Sequence, residues 1–179
     1  PRTSSAASDV YKRQIQGIAA VGDFVSIRII KIKKQYLVGQ LVSVIKKSKE
    51  RINPECKYFG ICGGCKWQHI NYNEQLRLKE KQVRDAVVHI GKFSKVIVEK
   101  CIPAKKVYNY RNKVDFSFTD LRYLTDEEIK LENKKLKKPI DFALGFHPKG
   151  CYSKALDIDH CYLTTNTTNK ILLLVREFC

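Results

Sequence analysis

Methionine is absent from the 179 residues, tryptophan occurs once, and no apolar run approaches the ~18 residues of a membrane-spanning helix. The longest such run, residues 171–175, is closed by Arg176. An integral membrane protein is therefore not expected. An apolar signal region is also lacking at the N-terminus, which argues against secretion and for a reducing cytoplasm. With no methionine there is no start residue. Residues 1–14 are Ser/Ala-rich, polar and without periodicity, and read as an artefactual or disordered leader outside the fold. The chain stops at Cys179 inside an apolar helical pattern, so a fragment cut at both ends is expected. Acids are scarce: 18 Asp+Glu stand against 34 Lys+Arg, a net charge of +16. That excess points to a polyanionic partner, nucleic acid first. The hydrophobic fraction of 44% is too high for a disordered chain.

A β pattern fills residues 21–45. Val25, Ile27 and Ile29 alternate with Ser26 and Arg28, and the phase slips at Ile29-Ile30, where a bulge is expected. A turn at Lys34-Gln35 leads into a second strand, in which Gly39 permits a bend or a close approach. Both faces of this hairpin are apolar, as in a small barrel. Arg28, Lys31, Lys33, Lys34, Lys46, Lys47, Lys49 and Arg51 make the stretch basic. Such a run is commonly a solvated face, and it is also how oligonucleotide-binding barrels follow a phosphate backbone.

After the loop of residues 51–69, Asn73 is a fair N-cap for a helix whose apolar stripe is Leu76, Val83, Val87 and Ile90, with Gly91 as its left-handed stop. Alternation then predicts strands at Val96 and Val98, at Val114, Phe116 and Phe118, and at Ile140, Phe142, Leu144 and Phe146. The last of these should turn at Pro148-Lys149-Gly150 and return through Cys151 to Leu156. Thr125 to Glu128 forms a capping box before a short charged helix, and Lys134, Lys135, Lys137 and Lys138 read as a solvated insertion. A last helix should begin at Thr164 or Thr165, with Leu172, Val175 and Phe178 on one face.

The seven cysteines cannot all pair, and three of them are clustered: Cys56, Cys62 and Cys65, at C-x5-C-x2-C spacing. Gly63 and Gly64 inside the tight turn let two thiolates face one centre. Three thiolates are one short of a four-cysteine site. The fourth is expected to be Cys161, at the end of a strand. Cys101, Cys151 and Cys179 are more simply unconnected thiols. Zinc commonly takes two C-x2-C pairs, whereas three clustered cysteines with a distant fourth are more typical of an iron–sulfur cluster. Both metals stay open on spacing alone. His69 and His160, beside ligand cysteines, could serve as alternative ligands and are more simply hydrogen-bond partners of nearby backbone or RNA.

These residues, in this order, resemble the cluster-containing RNA (uracil-5-)-methyltransferases. Gly22 to Val25 with the basic hairpin looks like the second half of the family's TRAM domain. Arg51, Pro54, the three clustered cysteines and Gln68-His69 resemble its cluster loop. Tyr110 to Phe118 looks like a central-domain strand, and Leu144 to His147 with Asp157 to Cys161 is similar to its hairpin and fourth ligand. The resemblance implies an α+β fold: a partial OB-like β barrel over residues 15–50, the cluster loop over 51–69 and a central antiparallel α/β domain over 70–163. Residues 164–179 would form a helix leading toward a methyltransferase domain. It also implies a structural 4Fe-4S cluster on Cys56, Cys62, Cys65 and Cys161.

In this family the chemistry belongs to a C-terminal domain that binds S-adenosylmethionine, in which a cysteine attacks the uracil and a base later removes a proton. No glycine-rich cofactor loop or Pro-Pro turn of that kind occurs in this chain, so no catalytic residue is assigned. The expected partner is RNA, 23S ribosomal RNA in most of the subgroup, bound by a monomer. Single-stranded RNA needs cations and stacking faces. The candidates are Arg28, Lys31, Lys33, Arg51, Arg111 and Lys113 for charge, with Tyr58 and Trp67 for stacking. Phe59 and Trp67 serve equally well as covers over a cluster. A cluster- or zinc-stabilised RNA-binding module without catalysis is the competing expectation, and an electron-transfer protein the weaker one.

Overall fold

A computed structural model describes residues 12–34, 36–131 and 136–179. They form a mixed α/β structure in two compact units. One unit holds residues up to Ile52 together with His69–Asn71, the other Asn53–Gln68 and Tyr72–Cys179.

The first unit is a three-stranded sheet of order β1-β3-β2, from β1 (Lys12–Gln16), β2 (Phe24–Ile32) and β3 (Tyr36–Lys46). β2 and β3 are the expected hairpin, and Ile30 is skipped between the pairs Ile29↔Gly39 and Lys31↔Val38, as the phase slip predicts. A Cβ on Gly39 would stand 2.9 Å from Ile27 Cδ1, so this strand position does accommodate a close approach. β1 pairs with β3 in parallel and overlaps the last residues of the expected leader. An edge strand joins through backbone hydrogen bonds and needs no side-chain pattern of its own. The rest of that leader, residues 1–11, and the turn residue Gln35 lie outside the described residues. Among the described residues the sheet does not close into a barrel.

His69–Asn71 joins this unit through backbone pairing. Ile52 N–H donates to the His69 carbonyl (3.0 Å) and Asn71 N–H to that of Glu50 (2.8 Å). Asp23 fixes the other side of the sheet base. Its carboxylate accepts from Ala20 N (2.7 Å), Ser48 N (2.8 Å) and the Arg51 guanidinium.

The second unit carries α1 (Tyr72–Asp85), a π-helical turn (Ala86–Ile90), β4 (Ser117–Thr119), α2 (Asp126–Lys130), β5 (Ala143–Phe146), β6 (Leu156–Asp157) and α3 (Asn166–Glu177). β4, β5 and β6 form an antiparallel sheet in that order. Its core is Leu144, Leu156, Ile158 and Leu172, with Tyr58, Phe116, Phe146 and Val175 packed against it. Arg176 bolts α3 onto this sheet by donating to the Leu144 carbonyl (3.1 Å) and Asp157 Oδ1 (2.7 Å).

Several sequence expectations are corrected here. α1 begins at Tyr72, which places Asn73 inside the first turn. Its buried residues are Glu74 and Leu78, while Val83 of α1 and Ile90 of the π-helical turn are exposed and Val87 is half-buried. Gly91 has φ −73°, and the left-handed residue falls one position later, on Lys92 at φ 60°. The π-helical turn displaces the helix end by that residue. Val96 and Val98 form no strand, and Ile97 is 90% exposed. Alternation states which way side chains point, not whether a partner strand exists. Of the pattern from Val114 to Phe118 only the end pairs, and β5 starts at Ala143, after Pro139 and Asp141. Cys151 lies in a loop, because the returning strand is only the two residues of β6. Phe178 is 85% exposed, just past the end of α3. The capping box at Thr125 and the cap at Thr165 are both present. Lys138 is no solvated insertion, since it sits between Asp157 (2.6 Å) and Asp159 (2.5 Å). Lys134 and Lys135 lie outside the described residues.

Candidate metal centre and its cationic surround

The loop of residues 53–68, which runs between β3 and α1, folds back on the β5–β6 connection. Gly63 N–H donates to the His147 carbonyl (3.2 Å) and Lys149 N–H to that of Ile61 (3.2 Å). A Cβ on Gly63 would stand 3.2 Å from that His147 oxygen, which explains the glycine. Together these segments enclose a cavity of about 400 Å³ lined by Cys56, Cys62, Cys65 and Cys161. All four sequence-predicted ligands thus face one space, and Cys101, Cys151 and Cys179 do not. Among the described residues, no group of three or more His, Cys, Asp or Glu is arranged to hold a metal ion.

The backbone and side chains around the thiols are specific. Cys62 Sγ accepts from Gly64 N–H (3.4 Å). Gln68, buried, spans two of these cysteines: its Nε2 donates to Cys65 Sγ (3.1 Å) and its Oε1 accepts from Cys56 N–H (3.3 Å). Cys161 is held by Asn169 of α3, whose Oδ1 accepts from Cys161 N–H (2.8 Å) while its Nδ2 donates to the Cys161 carbonyl (3.1 Å). Thr164 adds a hydroxyl bond to the same carbonyl (3.1 Å). Asn169 is a residue beside Cys161 that the sequence did not single out. Its one signal is a poor helix former just inside a helix that Thr165 already caps.

Burial pushes the Cys56, Cys62 and Cys65 thiols up, and the charge of neighbouring cysteines adds to this. At Cys65 the Gln68 hydrogen bond and the Arg111 charge pull the other way. Three thiols whose ionisation is disfavoured in this way form a site that a positive inorganic centre would stabilise. Four cysteines lining one cavity are a donor set of the kind an iron–sulfur cluster takes.

His160 lines the cavity and packs edge-on against Tyr162, with ring centroids 4.7 Å apart. His69 belongs to the other unit, where its Nε2 is 3.3 Å from the Ala19 carbonyl oxygen and burial lowers its pKa.

The eight predicted RNA contacts separate. Arg111 lines the cavity, is exposed, and is positioned by its own N–H to the Leu163 carbonyl (2.8 Å) and its Nε to the Lys113 carbonyl (3.1 Å). Lys113 is exposed beside it. Tyr58 lines the cavity with its ring half-buried and its hydroxyl engaged with Asp159. Trp67 is half-buried away from the cavity lining, and its carbonyl accepts from Gln75 Nε2 (3.1 Å). Arg28, Lys31 and Lys33 are exposed in the first unit, and Lys31 Nζ lies 6.0 Å from the centre of the Tyr36 ring. Arg51, in the same unit, is engaged with Asp23.

No protein-family model matches the chain. Over 164 residues it is 44% identical to an uncharacterized RNA methyltransferase of Chlorobaculum tepidum, a match covering 92% of this chain and 34% of that protein. Uncharacterized RNA methyltransferases of Porphyromonas gingivalis (38% over 161 residues) and Bacteroides thetaiotaomicron (36% over 157) match in the same way, over 90% and 88% of the chain and 35% and 34% of the relatives. The chain spans about a third of the length of these relatives. No helix among the described residues is long and apolar enough to cross a membrane.

Proposed function

We propose that this chain is the RNA-binding, cluster-holding front part of an S-adenosylmethionine-dependent RNA uridine C5-methyltransferase, with 23S ribosomal RNA as substrate. The observation that carries the reading is the ring of four cysteines around one cavity, in a chain similar to RNA methyltransferases along nine-tenths of its length. Cys56, Cys62, Cys65 and Cys161 would hold a 4Fe-4S cluster. Bound there, the cluster supplies structure: it ties the loop near residue 60 to the segment near residue 160 with no redox turnover. The methyl transfer itself would fall to the two thirds of the relatives that this chain does not span. The β1-β3-β2 sheet is read as part of an OB-like TRAM barrel.

What this chain contributes is binding. Its charge of +16 supplies the long-range attraction for a polyanion. Arg111 and Lys113 offer cations at the cavity side, while Arg28, Lys31 and Lys33 do so on the sheet. Phosphate contacts of this kind position an RNA, and exposed ring faces such as Tyr110, 60% exposed, can stack on unpaired bases.

The test is anaerobic purification followed by a visible spectrum and iron and sulfide analysis. A broad band at ~400 nm with equal iron and sulfide is the expected result. A colourless protein holding one zinc would overturn the cluster and favour a zinc-stabilised RNA-binding module.

A further inference from the structure

The Tyr58 hydroxyl ties together two segments 101 residues apart through protein contacts. It donates to Asp159 Oδ2 (2.9 Å) and accepts from Asp159 N–H (3.1 Å). At the same residue, the Tyr58 carbonyl accepts from Cys62 N–H (2.9 Å) and from Ile61 N–H (3.2 Å). One residue therefore sets the backbone of a first-loop cysteine and grips the segment that carries Cys161. Its ring packs on the Leu144, Leu156, Ile158 and Leu172 core, so the pivot has a rigid base. Asp159 is gripped in turn by Lys138 Nζ (2.5 Å).

From this geometry we infer that Tyr58 and Asp159 form a clamp that places the two halves of the cysteine ring in register before a cluster is present. Tyr58 is thus a positioning residue, not an RNA-stacking face. The inference rests on the cluster reading above and adds an order of events: protein contacts preorganise the site, and the cluster then closes it. A site organised in advance loses less conformational freedom on loading. The exposed pair of Lys57 with Asp159 (2.9 Å) is a side contact, since solvent screens it.

The experiment compares wild type, Tyr58→Phe and Lys57→Ala. Each cluster-free protein is mixed anaerobically with ferrous iron and sulfide, and the rise of visible absorbance is followed. Amide hydrogen exchange over residues 56–65 is measured on the same cluster-free samples. Tyr58→Phe keeps the ring and loses both hydroxyl bonds. It is expected to load about tenfold more slowly and to exchange the loop amides about tenfold faster, while Lys57→Ala matches wild type in both. Should Tyr58→Phe fail to fold, Asp159→Ala removes the carboxylate acceptor and leaves the bond from the residue 159 N–H to the Tyr58 hydroxyl, so a change in the same direction but smaller than tenfold is expected. Wild-type loading with unchanged rate and exchange in the variant overturns the clamp alone. Wild-type protein that takes up no iron and sulfide overturns the cluster reading and the inference with it, whatever the exchange shows.

Discussion

Arg51 grips Asp23 through two nitrogens, with NH2 on Oδ2 at 2.5 Å and Nε on Oδ1 at 3.3 Å, across 28 residues of chain. The Asp23 side chain is 1% exposed and that of Arg51 15%. An arginine that sequence reasoning assigns to RNA is, in the fold, the counter-charge of a buried carboxylate. The pair joins the start of β2 to the strand-like passage after β3 and fixes the base of the sheet.

The Arg51 hydrogen bonds hold the Asp23 carboxyl well below the usual carboxylate range, against the opposing effect of burial. A depressed folded-state value means stabilisation that is full above the unfolded value, ~3.9, and lost as pH falls below it. Thermal melts from pH 7 to pH 2 should therefore show a steep loss of stability below pH ~4. Asp23→Asn should cost about 3 kcal/mol at neutral pH and flatten that acid limb. An unchanged acid limb in the variant would show that other carboxylates drive the transition.

Gln68 touches Cys56 and Cys65 at once, so Gln68→Ala removes two constraints on the cysteine ring. Iron affinity should fall about tenfold, the usual effect of losing a partner of a metal ligand. Competition with a chelator reads the change directly, and wild-type affinity would rule out a role for the amide.

Two glycines should respond differently to alanine. A Cβ on Gly145 would lie 2.2 Å from the Leu156 carbonyl oxygen, a backbone atom in the partner strand. On Gly39 the close neighbour is the free end of Ile27, at 2.9 Å. Gly145→Ala should cost about 3 kcal/mol or prevent folding, whereas Gly39→Ala should cost about 1 kcal/mol or less. Urea titrations of the two variants check the ranking, and equal midpoints would contradict it.

Arg111→Ala should weaken RNA binding and lower the salt dependence by about one phosphate contact, while the iron and sulfide content stays as in wild type. Filter binding over a salt series gives both quantities. Equal affinity at low salt would remove Arg111 from the RNA surface.

Features encoded within a few residues were legible in the sequence. Thr125 and Glu128 close a capping box because both bonds form inside one turn. The Ile29-Ile30 slip produces a bulge because strand period is a local property. The C-x5-C-x2-C spacing places three thiols on one cavity for the same reason. Illegible were the roles set by distant partners. Lys138 reads as solvated and is instead held by Asp157 and Asp159, about twenty residues on. Asn169 looks ordinary until Cys161 is placed beside it. Val96 and Val98 show the reverse case, a correct pattern with no strand to pair with.

β2 is an edge of its sheet, and Ile27, Ile29, Ile30 and Ile32 along it are all at least 41% exposed. A flat strand of that composition would be a template for runaway stacking between copies. The skipped Ile30 breaks its hydrogen-bond ladder, and Arg28 and Lys31 set like charges along it. The cations and the bulge thus share one exposed edge. Were a polyanion to neutralise those cations, the edge would lose its electrostatic guard, and the bulge would be left to discourage chains from adding to one another.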